Sequence, residues 1–350
     1  MADRCIFRTD AVLPFSGGIF LLMYPCIFSA RFCGLHSFCE DRRIGRNGYP
    51  CFLSGGFLVY TDSHAHYDLK HFNNNRWSLL AECRRRGIGA ILVPAIRPES
   101  NDTMMQTLDV ETYPELLPQL DAEGVRPEEL PEIYYAAGVH PTRVWNGTEE
   151  DDGWWEQKIR SAAGKKKVAA IGETGLDYHV ELTPEMRERQ MEWFHRQLRI
   201  GEELELPLVL HIRMADDDAI SILKRYPLRQ SGVVHCFNGG WETAREYLNL
   251  GLYLGVGGSI TLEPYRASVG EALKKAPLDR LLMETDAPYV RPSWCTDPVN
   301  TSLVIPALAR ELAEIRGIQP EEVEQATTEN FWAVYRSRGR HSSMENRLDG

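Results

Sequence analysis

The feature that most constrains this chain is an alternation that begins at Phe57 and continues to Tyr335. Short apolar runs rich in Val, Ile and Leu are each followed by a longer segment of helical period. Such alternation marks parallel β/α units: a strand buried on both faces reads as one apolar run, whereas its crossover helix shows a single apolar stripe. The runs are Phe57–Thr61, Ala90–Pro94, Ile133–Val139, Val168–Ile171, Leu208–Leu210, Val233–Val234, Leu252–Val256 and Leu281–Met283. Helices are expected from Trp77 to Arg86, Trp154 to Ala163, Pro184 to Glu205 and Pro320 to Tyr335, with others starting near Asp216, Trp241, Tyr265 and Ser302. The acidic, proline-punctuated stretch from Asp109 to Glu132 reads as a helix plus an insertion loop. Eight such units predict an α/β protein, a closed (β/α)8 TIM-type barrel rather than an open doubly wound sheet. Gly255-Val-Gly257-Gly258 has neither the spacing nor the following helix of a dinucleotide fingerprint.

The barrel then occupies 57–336, leaving an uncharacterised N-terminal extension over 1–56 and a polar tail over 337–350. Five of the eight cysteines (Cys5, Cys26, Cys33, Cys39, Cys51) fall in that extension, without a C-x-x-C pair to suggest a zinc knuckle. Arg4 and Arg8 precede an apolar stretch, as in a targeting signal. Asp3 and Asp10 oppose that reading, and a cut after Ala30 would put bulky Phe28 where a small residue is needed. The expectation is a cytoplasmic protein, with targeting by the N-terminal segment as the alternative. No apolar run reaches the roughly 18–20 residues that a membrane span requires. A net charge of −11 argues against coating nucleic acid by electrostatics alone. It leaves a phosphodiester substrate open, since bound cations set the local field where a phosphate sits.

In a barrel of this kind the active site forms where strands end and loops begin. The strand ends here carry Asp62-Ser-His64-Ala-His66, Gly138-Val-His140-Pro141, Gly172-Glu173-Thr-Gly175-Leu-Asp177, His211-Ile-Arg213, His235-Cys-Phe237 and Glu284-Thr-Asp286-Ala-Pro288. A lone histidine in such a place is more often a hydrogen-bonded core residue. Several at equivalent ends of different strands point to a metal site instead. His36, His71, His179, His195 and His341 fit loops or helix surfaces and are assigned no role.

Alternate residues of an extended segment face the same side, so His64 and His66 can reach one cation. Glu173 and Asp286 add the carboxylates that a site for two divalent cations needs. His64, His66, Glu173 and Asp286 are therefore expected around the first ion, while Glu173, His211 and His235 hold the second. Glu173 and Asp286 are the catalytic candidates, Asp286 as the group that orients the attacking water and takes its proton. His140 and Arg213 are placed to contact an anionic substrate. Asp62 and Glu284 either orient ligands or form ion pairs, and Asp177 is expected to fix the Glu173 loop by a hydrogen bond. Cys236 is expected to turn away as a buried, inert thiol.

Taken in this order, these motifs resemble the TatD family of metal-dependent deoxyribonucleases over Phe57 to Tyr335. The resemblance implies a barrel, two cations and hydrolysis of phosphodiester bonds in DNA, in a family that commonly uses magnesium. The histidine-rich donor set suits manganese or zinc as well. The chain departs from the family in reading Asp297-Pro-Val-Asn300-Thr-Ser302 where an Arg-Asn-x-Pro stretch is usual. The expected partner is DNA, as ends or short single strands, with a short footprint and a weak salt dependence. Two other readings stay open: a two-metal hydrolase of a small cyclic amide or ester, and a non-catalytic binding protein descended from an enzyme.

Overall fold

The computed structural model describes residues 43–44, 50–51, 60–145, 147–226 and 228–335. The cysteines before Cys51, the targeting-like stretch and the polar tail lie outside these residues. Contacts divide the chain into a unit up to Ser54 and a unit from Gly55 onward. In the first, Arg43–Ile44 pairs antiparallel with Pro50–Cys51.

The second unit is a barrel of eight parallel strands in sequential order. They are β1 (Tyr60–Asp62), β2 (Ile88–Pro94), β3 (Glu132–Ala137), β4 (Val168–Asp177), β5 (Leu208–Arg213), β6 (Gly232–Val234), β7 (Tyr253–Val256) and β8 (Leu281–Met283). The helices are α1 (Arg76–Arg85), α2 (Ser100–Leu108), α3 (Leu117–Ala122), α4 (Pro141–Val144), α5 (Asp152–Ala163) and α6 (Pro184–Leu204). They continue with α7 (Asp216–Arg225), α8 (Trp241–Asn249), α9 (Tyr265–Lys275), α10 (Ile305–Arg316) and α11 (Pro320–Tyr335). None of the described helices is long and apolar enough to cross a membrane.

Hydrogen-bonded strand pairing runs from β1 round to β8 and stops there. The seam between β8 and β1 closes just past the strand ends. Ser63 N–H donates to Met283 O at 2.9 Å, Asp286 N–H donates to His64 O at 2.8 Å, and Ala65 pairs with Ala287 in a parallel bridge. Inside the barrel, Ala90, Leu92, Ala136, Ala170, Val209, Val233 and Leu282 pack with Phe331, Val334 and Tyr335 from the last turns of α11. The large outer core lies between strands and helices, around Trp77, Phe72, Ile91, Tyr135, Trp193 and Phe194.

Strand β5 runs on to Arg213 rather than ending at Leu210, the short α4 was not expected, and two further departures bear on how the chain is arranged. The long insertion is led by α2, whose buried Asn101, Met104, Met105 and Leu108 line one helical face. Only the short α3 and two single 3-10 turns follow it. Strand β4 runs on to Asp177 rather than stopping at Ile171, with a register shift between Ile171 and Thr174. That irregularity re-aims the chain, as a bulge does. Glu173 N–H donates to Ala95 O at 3.1 Å, at the end of β2. The crossing needs Gly172, at φ 158°, where an added Cβ would lie 2.6 Å from Val209 Cβ.

Candidate metal centre

All the side chains of interest come from the carboxyl ends of strands. His64 and His66 follow β1, Glu173 and Asp177 lie on β4, His211 is on β5, His235 follows β6 and Asp286 follows β8. Asp286 and Cys236 adopt left-handed backbone, with φ of 54° and 48°. For non-glycine residues that conformation is costly and persists where the surroundings impose it. For Asp286 the seam bond to His64 O supplies part of that restraint.

The Glu173 carboxylate stands at the centre. Its Oε2 lies 3.4 Å from His64 Nε2 and 3.7 Å from His66 Nε2. Asp286 Oδ1 faces the same two nitrogens at 3.7 and 3.4 Å, and these nitrogens are 3.2 Å apart. The other oxygen, Oε1, lies 3.1 Å from His211 Nδ1 and 3.0 Å from His235 Nε2, which are themselves 2.9 Å apart. His140 Nε2 approaches the same oxygen at 3.4 Å.

Three observations favour cations among these donors. A tetrahedral ion about 2.1 Å from its ligands holds them roughly 3.4 Å apart, close to the spacings around Oε2. Glu173 Oε2 is buried and accepts no hydrogen bond from any described residue. No described Lys or Arg forms an ion pair with Glu173, Asp286, Asp177 or Glu284, so imidazoles are the only ionisable cationic partners beside these carboxylates among the described residues. Burial by itself would raise the Glu173 carboxyl. The His140, His64 and His235 rings instead hold it well below the usual carboxylate range. Burial and the adjacent His235 ring push His64 down, whereas the neighbouring carboxylates hold His66, His211 and His235 up against burial.

The groups behind this layer fix its orientation. His211 Nε2 donates to Asp177 Oδ2 at 2.9 Å, so Nδ1, which faces Glu173 and His235, is the nitrogen that would serve a cation. Asp177 thus acts on a ring rather than on the Glu173 loop, and it also receives His179 N–H at 3.1 Å. His140 Nδ1 accepts from Thr142 N–H at 3.1 Å, so the neutral ring carries its proton on Nε2. Burial and the His211 ring drive the His140 pKa down to about 3. Asp62 forms no ion pair among the described residues and touches no imidazole. It clamps the seam, accepting from His64 N, Thr285 N, Thr285 Oγ1 and Ser302 Oγ. Burial pushes its carboxyl up to about 7 in spite of those donors. Glu284 faces His235 Nδ1 at 3.8 Å and accepts Cys236 N–H at 2.6 Å. Cys236 is half-buried rather than buried as expected, and burial of its thiol together with Glu284 and Asp286 raises it well above its ordinary value. Arg213 is exposed at the end of β5; its carbonyl accepts Tyr178 N–H at 2.9 Å, and its guanidinium has no ion-pair or hydrogen-bond partner among the described residues.

Residues 61–336 match the family described as TatD related DNase. The chain belongs to the TatD family. It is 33% identical over 280 residues to an uncharacterized metal-dependent hydrolase, YcfH of Escherichia coli K12, covering 80% of this chain and 96% of that one. It is 30% identical over 276 residues to another, YabD of Bacillus subtilis 168, covering 79% and 98% respectively. The crystal structure of YjjV, a TatD homologue from E. coli K12, superposes with a TM-score of 0.65 at 29% identity, covering 80% of this chain and 98% of that one. This TatD-family protein is accordingly a metal-dependent hydrolase on a TIM barrel, with several histidine and carboxylate clusters able to hold an ion. Sequence reasoning did not anticipate Arg97, Arg143 and Tyr289 around the same strand ends. All three are exposed and carry no periodic mark; Arg97 follows β2, Arg143 lies in the short α4, and the Tyr289 ring stands 6.3 Å from that of His66.

Proposed function

We propose that this protein is a two-cation phosphodiesterase, a deoxyribonuclease acting on DNA ends or short single strands. The observation that carries the reading is the division of the Glu173 carboxylate, whose Oε2 faces His64 and His66 while Oε1 faces His211 and His235. One carboxylate with an oxygen in each donor set is what joining two adjacent ions requires.

His64, His66 and Asp286 would hold one ion, His211 and His235 the other, and Glu173 both. When bound, two divalent cations supply charge to neutralise a phosphate and acidify water at neutral pH. The chain's own groups do the rest. Asp286 is the carboxylate open to substrate, its side chain 16% exposed against 3% for Glu173, and it takes the proton of the attacking water. His140, with its proton fixed on Nε2, donates to a phosphoryl oxygen. Asp177 holds the His211 ring in one tautomer. Deep burial of His64 and Glu173 keeps bulk water from these groups.

The test is degradation of a labelled oligonucleotide by purified protein loaded with manganese, magnesium or zinc. Glu173→Ala, which removes both halves of the shared carboxylate, is expected to lower the rate by about a thousandfold or more. If wild type and variant are equally inert on DNA and only the wild type opens a cyclic amide or ester, the nuclease reading fails. Absence of any bindable cation in metal analysis would defeat every hydrolytic reading.

A further inference from the structure

Two arginines outside the metal cluster are built into one rigid mount. Arg97 follows β2 and Arg143 lies in α4, three residues beyond His140. The two loops are fastened to each other. His140 N–H donates to Ile96 O at 3.1 Å, and Gly138 N–H donates to Asn101 Oδ1 at 2.9 Å. The buried Asn101 amide donates in turn to Gly138 O at 2.9 Å, Pro98 O at 3.1 Å and Arg97 O at 3.3 Å. Arg97 N–H is also held, by Ser100 Oγ at 3.2 Å.

On that mount both guanidiniums are exposed, and neither has an ion-pair or hydrogen-bond partner among the described residues. They lie within electrostatic range of each other: burial and then the Arg97 charge pull Arg143 below its ordinary value, with Glu99 acting the other way. Burial, then Asp286 and Asp68, raise the Tyr289 hydroxyl, and the Arg97 and Arg143 charges act the other way, which places both guanidiniums within electrostatic range of this ring as well. Tyr289 is 47% exposed, and its ring stands 6.3 Å from that of His66. A face carrying two unsatisfied guanidiniums beside an open aromatic ring, next to the metal donors, is matched by an anion flanked by something planar.

We infer that Arg97 and Arg143 form a second phosphate subsite, which holds the phosphate next to the scissile one while Tyr289 packs against the intervening nucleoside. The substrate is then a single-stranded chain with at least two phosphodiesters, not a small neutral ring or an isolated diester. The inference rests on the phosphodiester reading of the metal centre and names its substrate class. Arginine suits the role because its planar fork pairs with phosphate oxygens through two parallel hydrogen bonds.

The experiment compares wild type with the double variants Arg97→Gln/Arg143→Gln and Arg97→Lys/Arg143→Lys, all loaded with manganese. Binding is followed by fluorescence anisotropy of a labelled phosphorothioate pentathymidylate at several salt concentrations. Turnover is followed on bis(p-nitrophenyl) phosphate, which has one diester only. The Gln pair should weaken oligonucleotide binding by about tenfold or more and flatten the slope of log K against log salt by about 0.7, the share of one single-strand phosphate. Turnover of the single diester should be unchanged, and the Lys pair should keep the salt slope while losing part of the affinity. Binding by the Gln pair within about twofold of wild type at an equal slope overturns the subsite, as does a wild type that does not bind. A fall in single-diester turnover as large as the fall in binding also overturns it, because the arginines would then serve the reacting phosphate. Tight, arginine-dependent binding without hydrolysis of either compound would uphold the subsite and sink the phosphodiesterase reading instead.

Discussion

Removing the Asp62 carboxylate should weaken one half of the metal centre through the fold. Its Oδ1 accepts His64 N–H and Thr285 N–H, each at 3.1 Å, and its Oδ2 accepts the Thr285 and Ser302 hydroxyls, each at 2.6 Å. These bonds join β1 to the segment after β8, across the seam that strand pairing leaves open. In Asp62→Ala the two hydroxyls can turn elsewhere, but the two backbone amides cannot. Each stranded amide costs about 1–3 kcal/mol, partly offset by removal of a buried charge, so the variant should lose about 3 kcal/mol. Asp62→Asn keeps one oxygen for the amides and offers its NH2 to the hydroxyls, so it should lose about 1 kcal/mol. Urea unfolding of the metal-free protein near pH 8, where the carboxyl is ionised, measures both. Calorimetric titration with manganese supplies the functional arm. His64, His66 and Asp286 flank the seam, whereas His211 and His235 stand on β5 and after β6. Asp62→Ala should weaken one binding event by about tenfold or more, equivalent to 1.4 kcal/mol, and leave the other near its wild-type value. Equal weakening of both events, or an Asn variant as damaged as Ala, would refute the argument.

Further outcomes follow from single contacts. Asp177→Asn removes the acceptor of the His211 Nε2–H and should reduce cation affinity by about 10–100-fold with the fold intact, as read by titration alongside circular dichroism. Glu324 is buried against Tyr60 on the inner side of α11. Burial raises its carboxyl, against the Tyr60 hydrogen bond, with Glu321 adding to the rise. A folded-state pKa above the unfolded value of about 4.3 means stability that is full in acid and lost as pH rises through the raised pKa. Glu324→Gln should therefore gain on wild type as the pH rises from about 4.3 through the raised pKa in paired urea titrations, and a constant gap would contradict this.

Much of the barrel and the donor set was legible because both leave local marks. An apolar run of two to seven residues bounded by a helical period needs no long-range information, and β8 was found at Leu281–Met283 without error. The histidines were readable because they follow those runs directly. What the sequence concealed depends on contacts between distant residues. Asp62 reaches partners 223 and 240 residues away, and nothing in Asp62-Ser-His64 shows which way its carboxylate turns. The extension of β4 to Asp177 was hidden by Gly172 and Gly175, which read as a loop in one dimension. In the barrel they are where neighbouring backbone comes so close that an added Cβ would lie 2.7 Å from Val209 O or 2.1 Å from His211 O. Helix α2 was missed for a different reason. Its first turn, Ser100-Asn-Asp-Thr103, is polar and of low helix propensity, and Asn101 earns its buried place by stapling two loops rather than by packing.

The coincidence of seam and site has a consequence for how this fold and its chemistry depend on each other. Between β1 and β8 the ladder is replaced by a few bonds, and these run through the residues that present His64 and Asp286. A cation held by His64, His66 and Asp286 would therefore span the seam as well as occupy the site, tying the segment after β1 to the segment after β8. Glu173 would carry that tie on to β4 and, through its second oxygen, to His211 on β5 and His235 after β6. Any ion that binds only the folded chain adds about 2.7 kcal/mol at a concentration a hundred times its dissociation constant. That is close to what the Asp62 clamp is worth by the argument above. Clamp and cation restrain the same gap in the barrel, so the loss of one should make the protein lean more heavily on the other. The left-handed backbone of Asp286 fits this arrangement: a conformation with a standing cost is kept where a seam bond fixes its amide and its carboxylate faces two imidazoles.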